Sequence, residues 1–221
     1  MAYESLRDFM DRLERAGRLV RVKAPVSPVL EITEIHTRLL AERGPAVLFE
    51  TVEGSAMPVL ANLFGTVERV AWGMDREPGG LRELGQTLAF FKQPVPPESL
   101  GQAWEMLPLV KAALAMKPRT VGRAPCQEVV LRGADIDLGR LPIQTCWPGE
   151  PAPLITWPLV VTKGPTTARE DAFNLGIYRM QVTGRDTTLM RWLRHRGGAQ
   201  HHRRWQQQIY PLVHNMILAN G

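Results

Sequence analysis

A dense group of cationic side chains lies late in the chain, within FNLGIYRMQVTGRDTTLMRWLRHRGGAQHH at residues 173–202. This stretch contains five arginines, three histidines and one asparagine. Arginine presents a planar fork of donors that matches phosphate or carboxylate oxygens, and it stays charged when partly buried. Arg179, Arg191 and Arg196 are therefore predicted to bind an anion.

The same stretch also contains side chains that could bind a metal ion. Asn174 offers a carbonyl oxygen, which suits a hard cation such as Mg²⁺ or Mn²⁺, and His201 or His202 could supply an imidazole. Gly176 and the pair 197–198 would let the backbone approach a ligand closely. Phosphate together with a divalent metal is the combination that these residues favour.

Each of these residues also has an ordinary structural interpretation. A single arginine in a strand usually faces solvent, Asn174 could close a turn, and His201 and His202 could begin a solvated helix. The density of the cluster favours a binding site. Nucleic acid is not the expected partner, because such surfaces spread lysines and aromatic residues more widely.

The alternation of side chains along a β-strand limits which of these residues can face the same site. Residues of equal parity share a face, so Arg191 and Leu193 should point one way and Trp192 the other. Asn174 and Arg179 are five positions apart and would lie on opposite faces of a regular strand. If both serve one site, the strand must bulge at Gly176 or begin after Asn174.

The composition describes an ordinary globular protein of 221 residues, with 44% hydrophobic and 22% charged residues. The net charge of +5 is local: residues 185–204 hold six arginines and three histidines against one acid. No apolar run approaches the roughly 20 residues that cross a bilayer, and the opening residues are not signal-like, so the cytoplasm is expected. Cys126 and Cys146 have no CxxC spacing and are expected to be reduced thiols.

The first half of the sequence alternates helical and strand patterns. A helix is predicted over residues 4–16 with Gly17 as its stop, and the strand RLVRV follows. Ser27 and Pro28 are expected to start a second helix, VLEITEIHTRLLAER. The buried strands AVLFE and MPVLANLF precede helices near 66–73, 79–92 and 98–115, so this half is predicted to be an α/β domain.

From APCQEVVL onward, β-branched runs and turn residues replace the amphipathic helices. Four strand-like runs follow: CQEVVL, LITWPLVVT, FNLGIYRMQV and TTLMRWL. The segment TGRDT predicts a hairpin, with Gly184 available for a positive φ. We expect an antiparallel sheet or barrel here, with a domain boundary near residue 122 that gives domains 1–122 and 123–221.

Three motifs, LPIQTCWPGEPAPLITWPLVVTKGP, NLGIYRMQ and MRWLRHRGGAQHH, closely resemble the UbiD family of prenylated-flavin-dependent decarboxylases. The likeness is strongest to 4-hydroxy-3-polyprenylbenzoate decarboxylases of ubiquinone biosynthesis, and it runs from the N-terminal helix to about Gln207. The resemblance implies an α+β chain: an N-terminal α/β domain followed by a split β-barrel of the flavin-reductase type, incomplete at the C-terminus.

The resemblance also implies roles for individual residues. Asn174 would be a metal ligand, with His201 joining the metal shell. Ile177, Tyr178 and Arg179 would line the prenylated FMN. Arg179 would also be catalytic by orienting the substrate carboxylate. The flavin would be held by Arg191, Trp192, Leu193, Arg196 and Gly197.

The implied reaction is the non-oxidative decarboxylation of an aromatic or α,β-unsaturated carboxylic acid, with 4-hydroxy-3-polyprenylbenzoate as the expected substrate. The flavin takes the electrons released as CO₂ leaves, and an acidic residue protonates the carbon. Mn²⁺ or Mg²⁺ would bridge the flavin phosphate to the protein, and K⁺ is a further expected ion. A flavin prenyltransferase would supply the cofactor. Relatives form homo-oligomers, and the basic charge permits peripheral membrane association.

The sequence departs from the family after residue 207. Family members continue with a glutamate that completes the metal site, acids for proton transfer and an assembly domain, whereas QIYPLVHNMILANG does not resemble the next family strand. We therefore expect a truncated chain. One hypothesis is a decarboxylase or its N-terminal part; another is a non-catalytic remnant or subunit that binds flavin phosphate. A third is an ordinary flavin-reductase-like barrel with unmodified FMN.

Overall fold

The structure is a computed structural model that describes residues 3–93, 96, 98–115, 121–165 and 173–219. The chain divides into two compact units. The first unit comprises Met1–Val22, His36–Leu48 and Leu60–Asp135, and the second comprises Lys23–Ile35, Phe49–Val59 and Ile136–Gly221. The expected boundary near residue 122 stays a prediction.

The first helix, α1, spans Leu6–Arg15 and ends where the sequence predicts. The Ser5 side chain accepts a hydrogen bond from the backbone of Asp8, and the Asp8 carboxylate accepts one from the backbone of Ser5. This reciprocal cap satisfies two donors at the helix start. Gly17 adopts a φ of +67°, a left-handed conformation that suits glycine after a helix.

A three-stranded sheet in the order β1-β2-β3 forms beside α1. The strands are β1 (Leu19–Val22), β2 (Ala46–Phe49) and β3 (Val59–Ala61), and every residue of β2 is buried. The α1 residues Phe9 and Leu13 pack with Leu19, Ala46 and Leu48 into one hydrophobic core. The predicted strands and the amphipathic face of α1 are thus confirmed.

The remaining helices differ from the predicted ones mainly at their ends. Helix α2 spans Glu31–Ala41, and it begins later than predicted because Leu30 takes a φ of +66° and ends the preceding turn. Helices α3 (Val67–Gly73) and α4 (Leu81–Lys92) match the predicted segments. The predicted helix at 98–115 is two helices, α5 (Leu100–Glu105) and α6 (Leu107–Ala115).

The second unit contains the remaining strands and one long helix. Strands β4 (Leu154–Ile155), β7 (Met180–Val182) and β8 (Thr188–Met190) form one antiparallel sheet. Strands β5 (Leu159–Lys163) and β6 (Phe173–Ile177) form a separate antiparallel ribbon, and α7 spans Gly197–Ala219. These strands do not close into a barrel within the described part of the chain.

Two predictions for this half are wrong in detail. CQEVVL is not a strand: a short 3-10 turn at Pro125–Gln127 is followed by irregular backbone. The TGRDT hairpin does form, since Val182 pairs with Thr188, but Gly184 does not take a positive φ. A Cβ atom at position 184 would lie 2.6 Å from Oγ1 of Thr187, so a larger residue there would require the Thr187 side chain to move.

Within the residues that the structure describes, no helix combines the length and apolar character needed to cross a bilayer.

Candidate functional site

The predicted cationic cluster surrounds a pocket of about 770 Å³ in the second unit. The end of β6, the segment after β8 and the first residue of α7 form its wall. Eight of the predicted site residues line it: Asn174, Ile177, Tyr178, Arg179, Arg191, Leu193, Arg196 and Gly197. The predicted residues Trp192 and His201 are not part of this lining.

Asn174 and Arg179 line the same pocket, but the backbone between them differs from both predicted arrangements. Strand β6 pairs regularly with β5 through Asn174 and Gly176, so it neither bulges at Gly176 nor begins after Asn174. The strand instead ends at Ile177, and the chain enters a different sheet at Met180. The two unpaired residues between these strands, Tyr178 and Arg179, turn Arg179 toward the pocket.

The side-chain amide of Asn174 is held by two hydroxyl groups. Its Nδ2 donates to Oγ1 of Thr162 at 3.2 Å and to the hydroxyl of Tyr178 at 3.1 Å. Both amide protons are thereby used, and Oδ1 faces Gly197 at the start of α7. The amide oxygen is therefore the atom of Asn174 that remains for a cation.

Tyr178 is a buried residue whose hydroxyl connects β6 to α7. Its side chain is 7% exposed, and the hydroxyl accepts a second hydrogen bond, of 2.9 Å, from the backbone nitrogen of Gly198. A Cβ atom on Gly176 would lie 2.6 Å from the Tyr178 ring, and one on Gly198 would lie 3.1 Å from it. These glycines therefore make room for Tyr178.

Gly197 has the same steric role for Asn174. A Cβ atom on Gly197 would lie 2.1 Å from Oδ1 of Asn174, so a larger residue there would force the amide or the start of α7 to shift. The sequence predicts that Gly176 and Gly197–Gly198 leave space for a ligand. In the structure they make room for the protein's own side chains, although Gly176 and Gly197 also line the pocket.

Trp192 lies behind the pocket wall. Its ring packs edge-on against Tyr178 at 6.3 Å and against His202 at 5.4 Å between ring centroids. Arg191 and Leu193 line the pocket and Trp192 does not, which is the alternation that the sequence predicts. Strand β8 ends at Met190, however, so these three residues follow the strand and are not part of it.

His201 is buried, with 6% exposure, and lies on the first turns of α7. Its Nδ1 is 3.0 Å from Oγ1 of Thr162, the hydroxyl that also accepts from Asn174. A chain of hydrogen bonds thus runs from Asn174 through Thr162 to His201. Nothing in the run LVVTK marks Thr162 as a site residue, so the sequence analysis missed it.

The electrostatic character of the pocket is positive. Arg179, Arg191, His195 and Arg196 contribute to its lining, and no Asp or Glu of the described residues does. The Arg179 guanidinium lies 5.9 Å from the ring centroid of Trp147, a cation–π contact that limits its motion. His195 was missed as a site residue; its place between two arginines in RHRGG was the available signal.

The residues present fit the phosphate of a flavin better than they fit a complete metal site. The guanidinium groups of Arg179, Arg191 and Arg196 and the amino-terminal end of the 23-residue helix α7 border the pocket, and both features favour an anion. For a cation, Asn174 offers one neutral oxygen. No group of three or more His, Cys, Asp or Glu side chains in the described residues could hold a metal.

Comparison with family models identifies both halves of the chain. Residues 10–88 match the 3-octaprenyl-4-hydroxybenzoate carboxy-lyase N-terminal domain. Residues 119–218 match the Rift-related domain of the same carboxy-lyase group.

Solved structures give the same result over most of the chain. The UbiD-class enzyme HmfF from Pelotomaculum thermopropionicum, in complex with FMN, is 31% identical over 85% of this chain, with a TM-score of 0.64. Vanillic acid decarboxylase from Sedimentibacter hydroxybenzoicus, in its closed form, is 27% identical over 91% of this chain, with a TM-score of 0.70. A 3,4-dihydroxybenzoic acid decarboxylase from Enterobacter cloacae is 25% identical over 88%, with a TM-score of 0.64.

The relatives are much longer than this chain. The chain spans 36% of the HmfF chain, 40% of the vanillic acid decarboxylase chain and 38% of the dihydroxybenzoic acid decarboxylase chain. Within that span, both domain models match in the expected order. The chain therefore belongs to the UbiD family.

Proposed function

We propose that this chain is the prenylated-FMN-binding part of a non-oxidative decarboxylase that acts on an aromatic or α,β-unsaturated carboxylic acid. The observation that carries the proposal is the pocket lined by Asn174, Arg179, Arg191 and Arg196 with no carboxylate among its described lining. A dianionic phosphate and an anionic substrate are the ligands that such a pocket favours. HmfF, which shares this fold, has been solved with FMN and, in an evolved dimeric form, with prFMN.

The role that we propose for each residue follows from its position in the pocket lining. Arg191 and Arg196 bind phosphate oxygens through their guanidinium groups, with the start of α7 at Gly197 beside them. Asn174 would offer its amide oxygen to Mn²⁺ or Mg²⁺, since its Nδ2 already donates to Thr162 and Tyr178.

Arg179 is the residue that we assign to the substrate. Its position between β6 and β7 brings it to the pocket, and Trp147 holds its guanidinium by a cation–π contact. It binds and orients the carboxylate that leaves as CO₂. The prenylated flavin, when bound, would supply the electron sink, and Ile177 and Leu193 offer apolar surface in the pocket lining.

The substrate class is narrowed by the relatives. Vanillic acid decarboxylase and 3,4-dihydroxybenzoic acid decarboxylase are named for hydroxylated benzoic acids. The domain models are named for 3-octaprenyl-4-hydroxybenzoate. We therefore propose a 4-hydroxybenzoate-type acid, with 4-hydroxy-3-polyprenylbenzoate as the specific candidate, and a flavin prenyltransferase as the source of the cofactor. We also infer that β4–β8 form part of a split β-barrel.

A second candidate function is a subunit or remnant that binds flavin phosphate without turnover. The absence of an Asp or Glu from the described pocket lining favours it, because protonation of the product carbon needs an acid. The vanillic acid decarboxylase structure is a two-component complex, and this chain spans 40% of the chain that it matches there.

Flavin binding is tested by titrating FMN into the purified chain and following the quenching of flavin fluorescence. Arg196→Gln is compared with Arg194→Gln, because Arg194 is an exposed neighbour of equal charge that does not line the pocket. We expect Arg196→Gln to weaken FMN binding by about tenfold or more, in line with the loss of a charge-assisted hydrogen bond. Equal affinities for the two variants would refute the assignment of the pocket.

Turnover is tested separately after coexpression with a flavin prenyltransferase. CO₂ release is measured from 4-hydroxybenzoate-type and cinnamate-type acids, with Arg179→Lys as the matched variant that keeps the charge but loses the planar fork. Decarboxylation that Arg179→Lys abolishes supports the enzyme. Bound cofactor without CO₂ release supports the subunit, and neither cofactor nor CO₂ contradicts both.

A further inference from the structure

A second cationic pocket lies in the first unit, and the proposed decarboxylase function does not use it. It has a volume of about 300 Å³. Arg18 follows α1, Arg43 follows α2, and Thr66 with Arg69 begins α3. Glu68 is the acidic residue in its described lining. The pocket therefore brings three arginines together from three separate segments of the chain.

Arg69 is the deepest of these arginines, with 1% exposure. Its Nε donates to the carbonyl of Leu63 and its Nη2 to the carbonyl of Asn62, each at 3.0 Å. Within the described residues Nη1 makes no hydrogen bond and the guanidinium makes no ion pair. The side chain thus supports the turn after β3 and still presents unused donors to the pocket.

The remaining charges do not neutralise Arg69. Glu68 forms an ion pair with Arg18, with Nε and Oε2 2.8 Å apart, and this pair is partly exposed. Arg43 is exposed, and its side chain has no ion pair among the described residues. Three arginines against one glutamate leave a net charge of +2 around the pocket.

A buried cation without a counter-ion is costly, and the electrostatics of Arg69 reflect this. Burial lowers the pKa of Arg69, Glu68 opposes that change and Arg18 adds to it. The guanidinium nonetheless stays charged at neutral pH, because arginine is too strong a base to lose its proton in a protein. An anion that enters the pocket would offset the desolvation of Arg69.

We propose that this pocket binds a phosphate group, either as inorganic phosphate or as the end of a phosphomonoester. A phosphate dianion matches the net charge of the pocket, and its oxygens match the forks of Arg43 and Arg69. The hydroxyl of Thr66 caps α3 by accepting from the backbone nitrogen of Arg69 and keeps its proton for donation to an oxygen. The site is independent of the flavin pocket.

The test is a titration of the full chain with inorganic phosphate and, separately, with phosphoethanolamine, followed by ¹⁵N NMR. Potassium chloride at equal ionic strength is the control for screening. We expect saturable shifts of the backbone resonances of Arg18, Arg43 and Arg69. Tighter binding of phosphoethanolamine identifies a phosphomonoester site, and tighter binding of phosphate identifies a site for the free ion. Shifts that chloride reproduces, or no saturable shifts at these residues, would overturn the proposal.

Arg43→Asn is the variant that tests the pocket without disturbing the fold. Arg43 has a φ of +53°, a left-handed conformation that asparagine adopts readily, and its side chain lies outside the core. Arg7→Gln removes the same charge from an exposed position of α1. We expect Arg43→Asn to weaken phosphate binding by about tenfold and Arg7→Gln to leave it unchanged. If Arg43→Asn and Arg7→Gln bound phosphate with equal affinity, the pocket would not be a phosphate site, and Arg69 would only support the turn after β3.

Discussion

The hydroxyl of Tyr178 lies 3.1 Å from Nδ2 of Asn174 and orients the amide of that residue. The same hydroxyl accepts from the backbone nitrogen of Gly198 near the start of α7. One buried hydroxyl therefore fixes both the proposed metal ligand and the helix end beside the proposed phosphate site. Tyr178 lines the pocket, but its main contribution is to position these two neighbours.

Replacing Tyr178 with phenylalanine should weaken both stability and flavin binding. The part-buried amide of Asn174 and the buried backbone nitrogen of Gly198 would each lose an acceptor. Leaving a buried donor unpaired costs about 1–3 kcal/mol, so we expect the free energy of unfolding in urea to fall by that amount. FMN affinity, measured by fluorescence quenching, should fall as well.

Tyr3→Phe is the matched control for this prediction. The Tyr3 hydroxyl accepts from Arg12 in the first unit, whereas the residues that line the proposed flavin pocket belong to the second unit. Its loss should leave FMN affinity unchanged. If Tyr178→Phe retained both the stability and the FMN affinity of the parent chain, the positioning role of Tyr178 would be wrong.

Replacing Gly197 with alanine should disrupt the site by direct overlap. The added methyl group would lie 2.1 Å from Oδ1 of Asn174, so the amide must leave the Thr162 and Tyr178 hydroxyls or the helix start must shift. Overpacking of this kind costs about 1–3 kcal/mol, and we expect a lower melting temperature with weakened FMN binding.

Gly85→Ala provides the opposite expectation for the same chemical change. Gly85 lies within α4, and a Cβ atom there meets no atom within 4 Å. Alanine should therefore raise stability by about 0.4–1 kcal/mol, because it reduces the freedom of the unfolded chain. A Gly197→Ala protein as stable as Gly85→Ala would show that Asn174 is not confined by α7.

Much of the site could be predicted from side-chain chemistry. The arginines and Asn174 were identified because their donors and acceptors suit phosphate and a hard cation, and the structure gathers them around one pocket. Thr162 could not be found, because its role depends on the pairing of β5 with β6 and on the position of α7. Such contacts are long-range and leave no local pattern.

The wrong predictions have related causes. CQEVVL has the β-branched composition of a strand, but strand propensity is decided by packing partners, and no neighbouring strand pairs with it in the described part of the chain. The path from Asn174 to Arg179 was expected to need a bulge at Gly176 or a strand that begins after Asn174. The structure instead ends β6 at Ile177 and begins β7 in another sheet, a choice that only the tertiary arrangement determines.

Replacing Thr162 with valine should separate Asn174 from His201 at nearly constant side-chain volume. Oγ1 of Thr162 accepts from Asn174 at 3.2 Å and lies 3.0 Å from Nδ1 of His201. Asn174 and His201 would both lose the Thr162 hydroxyl as a hydrogen-bond partner. We therefore expect the free energy of unfolding to fall by about 1–3 kcal/mol. The imidazole ¹⁵N shifts of His201 should change, which a general loss of packing would not produce.

Thr188→Val is the control for this effect. Thr188 is an exposed residue of β8 whose hydroxyl contacts only the sulfur of Met180 among the described residues, at 3.8 Å. It should alter neither stability nor the His201 shifts. If the imidazole ¹⁵N shifts of His201 were unchanged in Thr162→Val, the hydrogen bond between Thr162 and His201 would have no effect on that imidazole.

The pH dependence of stability should include a contribution from His36. Burial in α2 lowers the pKa of His36 below its ordinary value of 6.5, because partial removal from water disfavours the charged imidazole. The unfolded chain therefore binds more protons than the folded chain just below pH 6.5. Stability rises with pH wherever the unfolded state binds more protons. The contribution of His36 to stability is therefore fully present above the unfolded pKa and is lost as the pH falls through the folded pKa.

The variant His36→Gln cannot titrate at this position. Its free energy of unfolding in urea, measured between about pH 5 and pH 8, should therefore fall less steeply on acidification than that of the parent chain. Parallel curves for the two proteins would show that His36 ionises equally in the folded and unfolded states.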